Sequence, residues 1–176
     1  MILFICAAPI IGGTVAFNIW EGGPTSNYGE LIPPRKVEVA GHRVNQQPAA
    51  LSSLEGKWRF VMFDGGQCDE QCRRKLLYTR QIRLAQGREQ TRIERIWFID
   101  DRTHPNPDHA AFYDDAHIII LGSPTAGAEF SSQGSARTHI YLVDPHGHLM
   151  MRYPADPDPA RIIKDLQRLL KYSRIG

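Results

Sequence analysis

Cys68 and Cys72 are the residues whose type and spacing most directly suggest chemistry in this 176-residue sequence. Three residues separate them, so on a helix they would lie about one turn apart on one face. Such a pair can share a soft metal ion or, with some loop adjustment, close a disulfide. The chain has three cysteines in all, and Cys6 sits in an apolar run, so there is no disulfide framework. A helix N-terminus carries roughly half a positive charge and favours thiolate over thiol. Arg73, Arg74 and Lys75 reinforce that bias, while Asp69 and Glu70 oppose it. Thiolates are soft ligands that select Cu(I) among cellular metals, and a third donor would complete such a site. Thiol–disulfide exchange needs instead an exposed thiolate and a resolving partner within reach.

The sequence holds seven histidines. His139 is the candidate third donor, because the strand it opens should begin near the cysteine loop. An ordinary strand-end histidine is the bland account of the same residue. His146 and His148 belong to a hairpin turn, His104 and His109 to a loop, and His117 to the start of a buried strand. Other chemistries fit poorly. There is no glycine-flanked serine elbow, no His-Glu-x-x-His and no phosphate-binding glycine loop. Gly12-Gly13 and Gly65-Gly66 are too weak to invoke nucleotides.

The elements that must position the pair can be read from hydrophobic pattern. Trp58 to Phe63 reads as a strand, Gly65-Gly66 as a turn, and Asp69 to about Gln86 as a helix with Leu76, Leu77, Ile82 and Leu84 apolar. Gly87 is a stop signal. Arg92 to Ile99 reads as the next strand, which makes a parallel pair with a right-handed crossover. A short helix is possible around Ala110 to Tyr113, and His117 to Leu121 is a short buried strand. Thr138–Asp144 and His148–Tyr153 flank Pro145-His146-Gly147, a strong hairpin signal. A last helix opens at Asp156-Pro157-Asp158-Pro159, with Ile162, Ile163, Leu166, Leu169 and Leu170 on one stripe. The order β-α-β, β, β-β-α predicts an α/β, thioredoxin-like fold: a central mixed sheet flanked by helices, with the cysteines at the start of the first main helix.

Hydrophobic residues make up 42% and charged residues 23% of the chain, as in a globular protein rather than a disordered one. A formal charge of +2 gives no nucleic-acid surface. Met1 to Trp20 contains no charged side chain and is long enough, if helical, to cross a hydrocarbon core of about 30 Å. Residues 1–20 are therefore expected to be a transmembrane anchor. A signal peptide would want a basic n-region, and Pro9, Gly12 and Gly13 disfavour a buried helix. Residues 21–50 read as a Gly- and Pro-rich linker with an edge segment around Val37 to Val44, and residues 51–176 as the single folded domain.

Taken together, these residues resemble the Sco/SenC family of membrane-anchored copper proteins that help assemble cytochrome c oxidase. The carriers are the anchor, Leu54-Glu55-Gly56-Lys57-Trp58, Cys68-x-x-x-Cys72, and Tyr141-Leu142-Val143-Asp144-Pro145-His146-Gly147. The resemblance implies copper, Cu(I) or Cu(II), held by Cys68, Cys72 and a later histidine. It implies cytochrome c oxidase subunit II or another copper protein as partner. It places the anchor in a bacterial inner membrane and the domain in the periplasm. The chain is a divergent member: Asp69 and Arg73 stand where the family usually has prolines, and the segment between Ile99 and the last hairpin is short. The family histidine lies five residues before the Tyr, at Ala136, whereas His139 lies two before it. A shift of three reverses side-chain direction in a regular strand, so His139 serves only if the loop geometry differs. The alternatives are a general thiol–disulfide oxidoreductase of the cell envelope, with Thr138 where thioredoxin relatives place a cis-proline, and a scaffold that lost the chemistry.

Overall fold

The structure is a computed structural model that describes residues 27–131, 134–173 and 175. The expected anchor, residues 1–20, lies outside the described residues, among which no helix is long and apolar enough to cross a membrane. The sheet is built around β4 (Trp58–Asp64) and β5 (Ile93–Ile99), which pair in parallel from Trp58↔Ile93 to Asp64↔Ile99. A parallel pair needs a crossover, and α1 (Glu70–Leu84) supplies it. After the short α2 (Ala110–Tyr113), β6 (His117–Leu121) continues the parallel run beside β5. On the other side β7 (His139–Val143) runs antiparallel to β4 and returns as β8 (His148–Pro154). The hairpin forms where expected, and its turn needs Gly147 at φ 92°, a conformation other residues adopt at a cost.

Residues expected to be linker extend this sheet at both edges. β1 (Glu30–Lys36) pairs antiparallel with β8. β2 (Ala40–His42) and β3 (Pro48–Ala50) form a small hairpin beyond β6. The final order is β1-β8-β7-β4-β5-β6-β2-β3. Pro33 and Pro34 interrupt the β1 ladder, whose register shifts between Leu31 and Arg35. Proline lacks the ladder donor and is tolerated at a sheet edge, so the strand carries no clean alternation that a sequence pattern could report.

Both faces of the central strands are covered, which is why β4 is buried at all seven positions. α1 and α3 (Pro159–Tyr172) pack on one face, over Phe60, Ile140, Leu142 and Tyr153, with Ile82, Ile162, Leu166 and Leu170 inserted between. That face continues toward the C-terminal ends of β4 and β5 as Met62, Trp97 and Ile99, joined by Leu76, Cys68 and Cys72. The other face carries Val61, Phe63, Ile96, Phe98, Tyr141 and Val143, closed by Val37, Val39, Leu51 and Phe130. Phe63 sits 5.1 Å from Phe98 and 5.0 Å from Phe130 between ring centroids. A fully buried ring of this kind contributes about 2 kcal/mol. Asp158 caps α3, accepting from Ala160 N at 2.9 Å, with Pro159 in the first turn as the sequence predicts.

Candidate functional site

Cys68 and Cys72 meet at the C-terminal end of β4, the end of an open α/β sheet where loops gather chemistry. They form a disulfide, with Cα atoms 5.1 Å apart, inside the usual range for such a link. The loop that delivers them turns sharply: Cys68 N donates to Gly65 O at 3.1 Å, and Cys68 takes a left-handed φ of 50°. A non-glycine residue held there stores about 1 kcal/mol of backbone strain. Asp69, where a proline is usual in the family resembled, is the N-cap of α1 and accepts from Cys72 N at 2.9 Å. The helix thus begins at the pair and directs its positive end at the sulfurs. Arg73 Nη1 donates to Cys68 O at 3.1 Å and fixes the outer side of the turn.

Beneath the pair lies a buried ion pair that the charge pattern conceals. By sequence alone Lys75 groups with Arg73 and Arg74 as a positive cluster behind the cysteines. Its ammonium is fully buried instead, 2.6 Å from Asp64 Oδ2, and it donates to Phe63 O at 3.1 Å and Arg137 O at 2.8 Å. One helical turn from Cys72, it joins α1, the end of β4 and the turn into β7. The signal was its spacing: positions 72, 75, 76 and 79 fall on the buried stripe of α1. Arg137 also holds Asp100 through Nε and Nη2, and that hydrogen-bonded carboxylate keeps its guanidinium above the ordinary arginine range.

A second feature, equally hidden in the sequence, is the segment after β5. Gly66 N donates to Thr103 Oγ1 at 3.0 Å and to Asp101 Oδ1 at 3.2 Å, and Asn106 N donates back to Gly66 O at 2.9 Å. The approach is so close that a Cβ at Gly66 would fall 2.5 Å from His104 O. Burial raises the Asp101 carboxyl, but the Thr103 hydroxyl and the Thr103 and Gly66 amides outweigh it and hold the group below the usual carboxylate range. Phe112 and Tyr113 pack against the cluster that contains the cysteines. Arg73 Nη1 lies 3.5 Å from His109 Nε2. Between this segment and the core residues Met62, Leu76, Trp97 and Ile99 the pair is buried: Cys68 is 2% exposed and Cys72 is 0% exposed.

The structure does not bring His139 to the sulfurs. Its ring lies 6.0 Å from Tyr141, two residues along the same strand, and Tyr141 packs with Val61 and Phe63 on the face away from α1. The cysteines pack with Met62 on the opposite face. The regular strand therefore keeps the direction that spacing implied. Burial lowers the His139 pKa, with the nearby Arg152 charge acting in the same direction. Thr138 precedes it with no cis peptide bond among the described residues. No group of three His, Cys, Asp or Glu side chains that could hold a metal occurs among the described residues. As a disulfide the pair offers no thiolate to a metal; reduced, its two sulfurs would be soft ligands of the kind Cu(I) takes. The oxidised pair is able to undergo thiol–disulfide exchange.

Comparison with known proteins agrees with this architecture. The family model described as the transmembrane-like, thioredoxin-like, C-terminal domain matches residues 58–173. The solution structure of apo Sco1 from Thermus thermophilus is similar, with 23% identity, a TM-score of 0.63, and coverage of 84% of this chain and 99% of that one. Yeast Sco1 with copper bound gives 14% identity and a TM-score of 0.64 over 81% of this chain and 96% of its own. The thioredoxin domain of a thiol-disulfide oxidoreductase from Bacteroides vulgatus gives 16% identity and a TM-score of 0.54 over 83% and 99%. No curated protein matches the chain. At these identities the solved structures show a shared, Sco-like thioredoxin fold. With two thirds of its length matched by one family model, the chain belongs to the transmembrane-like, thioredoxin-like C-terminal domain family.

Proposed function

We propose that this protein is a Sco-like thiol-redox factor of the bacterial cell envelope, anchored by residues 1–20, whose Cys68–Cys72 pair maintains the thiols of a copper protein such as cytochrome c oxidase subunit II. The observation that carries the reading is the disulfide at the strand-to-helix junction, where α1 begins at the sulfurs. A disulfide persists in an oxidising compartment, which suits a domain on the outer side of the inner membrane. In the working direction the reduced pair gives two electrons and two protons to a partner disulfide. One thiolate attacks a partner sulfur, a mixed disulfide forms, and the second cysteine displaces the partner as a dithiol while Cys68–Cys72 closes. The helix dipole favours the attacking thiolate, and Arg73, bonded to Cys68 O, adds positive charge beside it.

Copper enters as a second reading, supported by the fold shared with copper-bound Sco1. Once reduced, Cys68 and Cys72 would present two soft thiolates suited to Cu(I). His139 faces away, so a third donor would have to come from a partner or from rearrangement. The discriminating experiment mixes the reduced full-length chain with an oxidised, copper-free subunit II domain and follows thiols on both proteins. Appearance of two thiols on the domain as Cys68–Cys72 closes, lost in Cys68→Ser, is the expected result. Absence of transfer together with one tightly held Cu(I) per reduced chain would replace the redox reading with the copper one.

A further inference from the structure

Exchange at a disulfide needs a thiolate to approach one sulfur along the S–S axis, yet both cysteines are all but inaccessible. On their inner side they pack with Met62, Leu76, Trp97 and Ile99, and a strap formed by the segment after β5 adds Phe112 and Tyr113 to that cluster and bonds the backbone of Gly66 in the turn that delivers them. The geometry points to the segment from Arg102 to Tyr113 being a movable cover whose opening sets how fast Cys68–Cys72 exchanges and how large a thiol can reach it. This rests on the redox reading only in that exchange must occur at the pair.

The strap has the build of a hinged element. It leaves β5 at Arg102, an exposed residue in the left-handed region at φ 60°. Its far end is anchored: Arg80 Nη1 donates to Ala111 O at 2.6 Å, and the buried Arg95 donates to Phe112 O at 3.1 Å while pairing with Asp115. Between these ends no residue is fully buried, and Arg102, His104, Pro107, Asp108, Ala110 and Ala111 are exposed. What holds the middle down is a short set of polar contacts. Gly66 N bonds Thr103 Oγ1, Asn106 N bonds Gly66 O, Tyr113 OH bonds Asn106 O at 3.0 Å, and His109 meets Arg73. Segments with few buried apolar groups and solvent-side hydrogen bonds open at far lower free energy than the fold as a whole. Lifting residues 102–109 uncovers the Gly65–Cys68 turn and leaves the β4–β5 ladder and α1 intact. Both polar backbone groups of Gly66 bond the strap, so the strap and the cysteine turn are released together.

Reduction of the full-length oxidised chain by dithiothreitol tests this, with iodoacetamide trapping and mass measurement of the thiols. Each turnover moves two electrons and two protons from the dithiol to the pair through a mixed disulfide, and dithiothreitol leaves as a cyclic disulfide. A closed strap makes the rate level off as dithiothreitol rises, because opening becomes limiting. Thr103→Val and His109→Ala should each raise the plateau about fivefold, the effect of losing one ordinary hydrogen bond from the closed state. Leu170→Ala, which weakens the core under α3 away from the strap, should leave the plateau where it is. A rate that stays proportional to dithiothreitol and is equal in all variants overturns the cover. So does a plateau that Leu170→Ala lifts as much as the strap variants, since that reports global unfolding. Failure to transfer electrons to a copper-site domain would sink the proposed function and leave this result unchanged.

Discussion

Lys75 and Asp64 show how much the setting of one residue matters at this site. An ammonium and a carboxylate removed from water cost several kcal/mol each, repaid only when geometry and further hydrogen bonds are good. Here two carbonyls complete the ammonium's partners, and the 2.6 Å pair holds three elements at one point beneath the disulfide. Lys75→Met removes the ammonium and leaves the Asp64 carboxylate nearly buried, with Arg137 Nη1 at 3.8 Å as its remaining cation. The expected loss in urea denaturation is about 3 kcal/mol, the usual cost of stranding a buried charge. Adding Asp64→Asn should restore a large part of that loss, because it neutralises the stranded charge. An additive double variant would show that Lys75 acts through its carbonyl contacts alone.

At the scale of elements, α1 depends on a cap that replaces a familiar residue choice. Asp69 satisfies the Cys72 amide, and Asp69→Ala should cost about 1 kcal/mol in thermal or denaturant unfolding. Asn at this position should retain most of that stability, since it keeps the accepting oxygen. The same helix shows what sequence can and cannot convey. Its start, its Gly87 stop, the parallel β4–β5 pair and the β7–β8 hairpin follow from local pattern, since each is specified by residues adjacent in the chain. Of the strands from Glu30 to Ala50, β2 falls within the edge segment expected around Val37 to Val44, whereas β1 and β3 escaped that reading because one is broken by Pro33 and Pro34 and the other pairs over three residues. The spacing of the cysteines allowed either a disulfide or a shared metal, and the structure has the disulfide. His139, the candidate third donor, could serve only if the strand were irregular, and its alternation is regular from His139 to Leu142. The strap over the pair did not follow from pattern, because Thr103, Asn106 and His109 act through single contacts with Gly66 and Arg73. No periodicity records contacts between residues some 35 positions apart.

For the whole molecule, the question is whether Cys68–Cys72 holds the fold together or is free to cycle. The link spans a sequence separation of 4, and closing so small a loop removes little entropy from the unfolded chain, about 2 kcal/mol. The rest of the fold does not pass through it. The two clusters built on Phe60 and on Phe63 are closed by α3, β1 and the Val37–Leu51 stretch, and neither contains a cysteine. The reduced chain is therefore expected to stay folded, with unchanged far-ultraviolet circular dichroism and a Tm lower by about 5 °C. Cys68→Ser/Cys72→Ser should match the reduced protein within a degree or two. Unfolding on reduction would make the pair a structural staple, and a domain that unfolds each time it takes up two electrons could not serve as a redox factor.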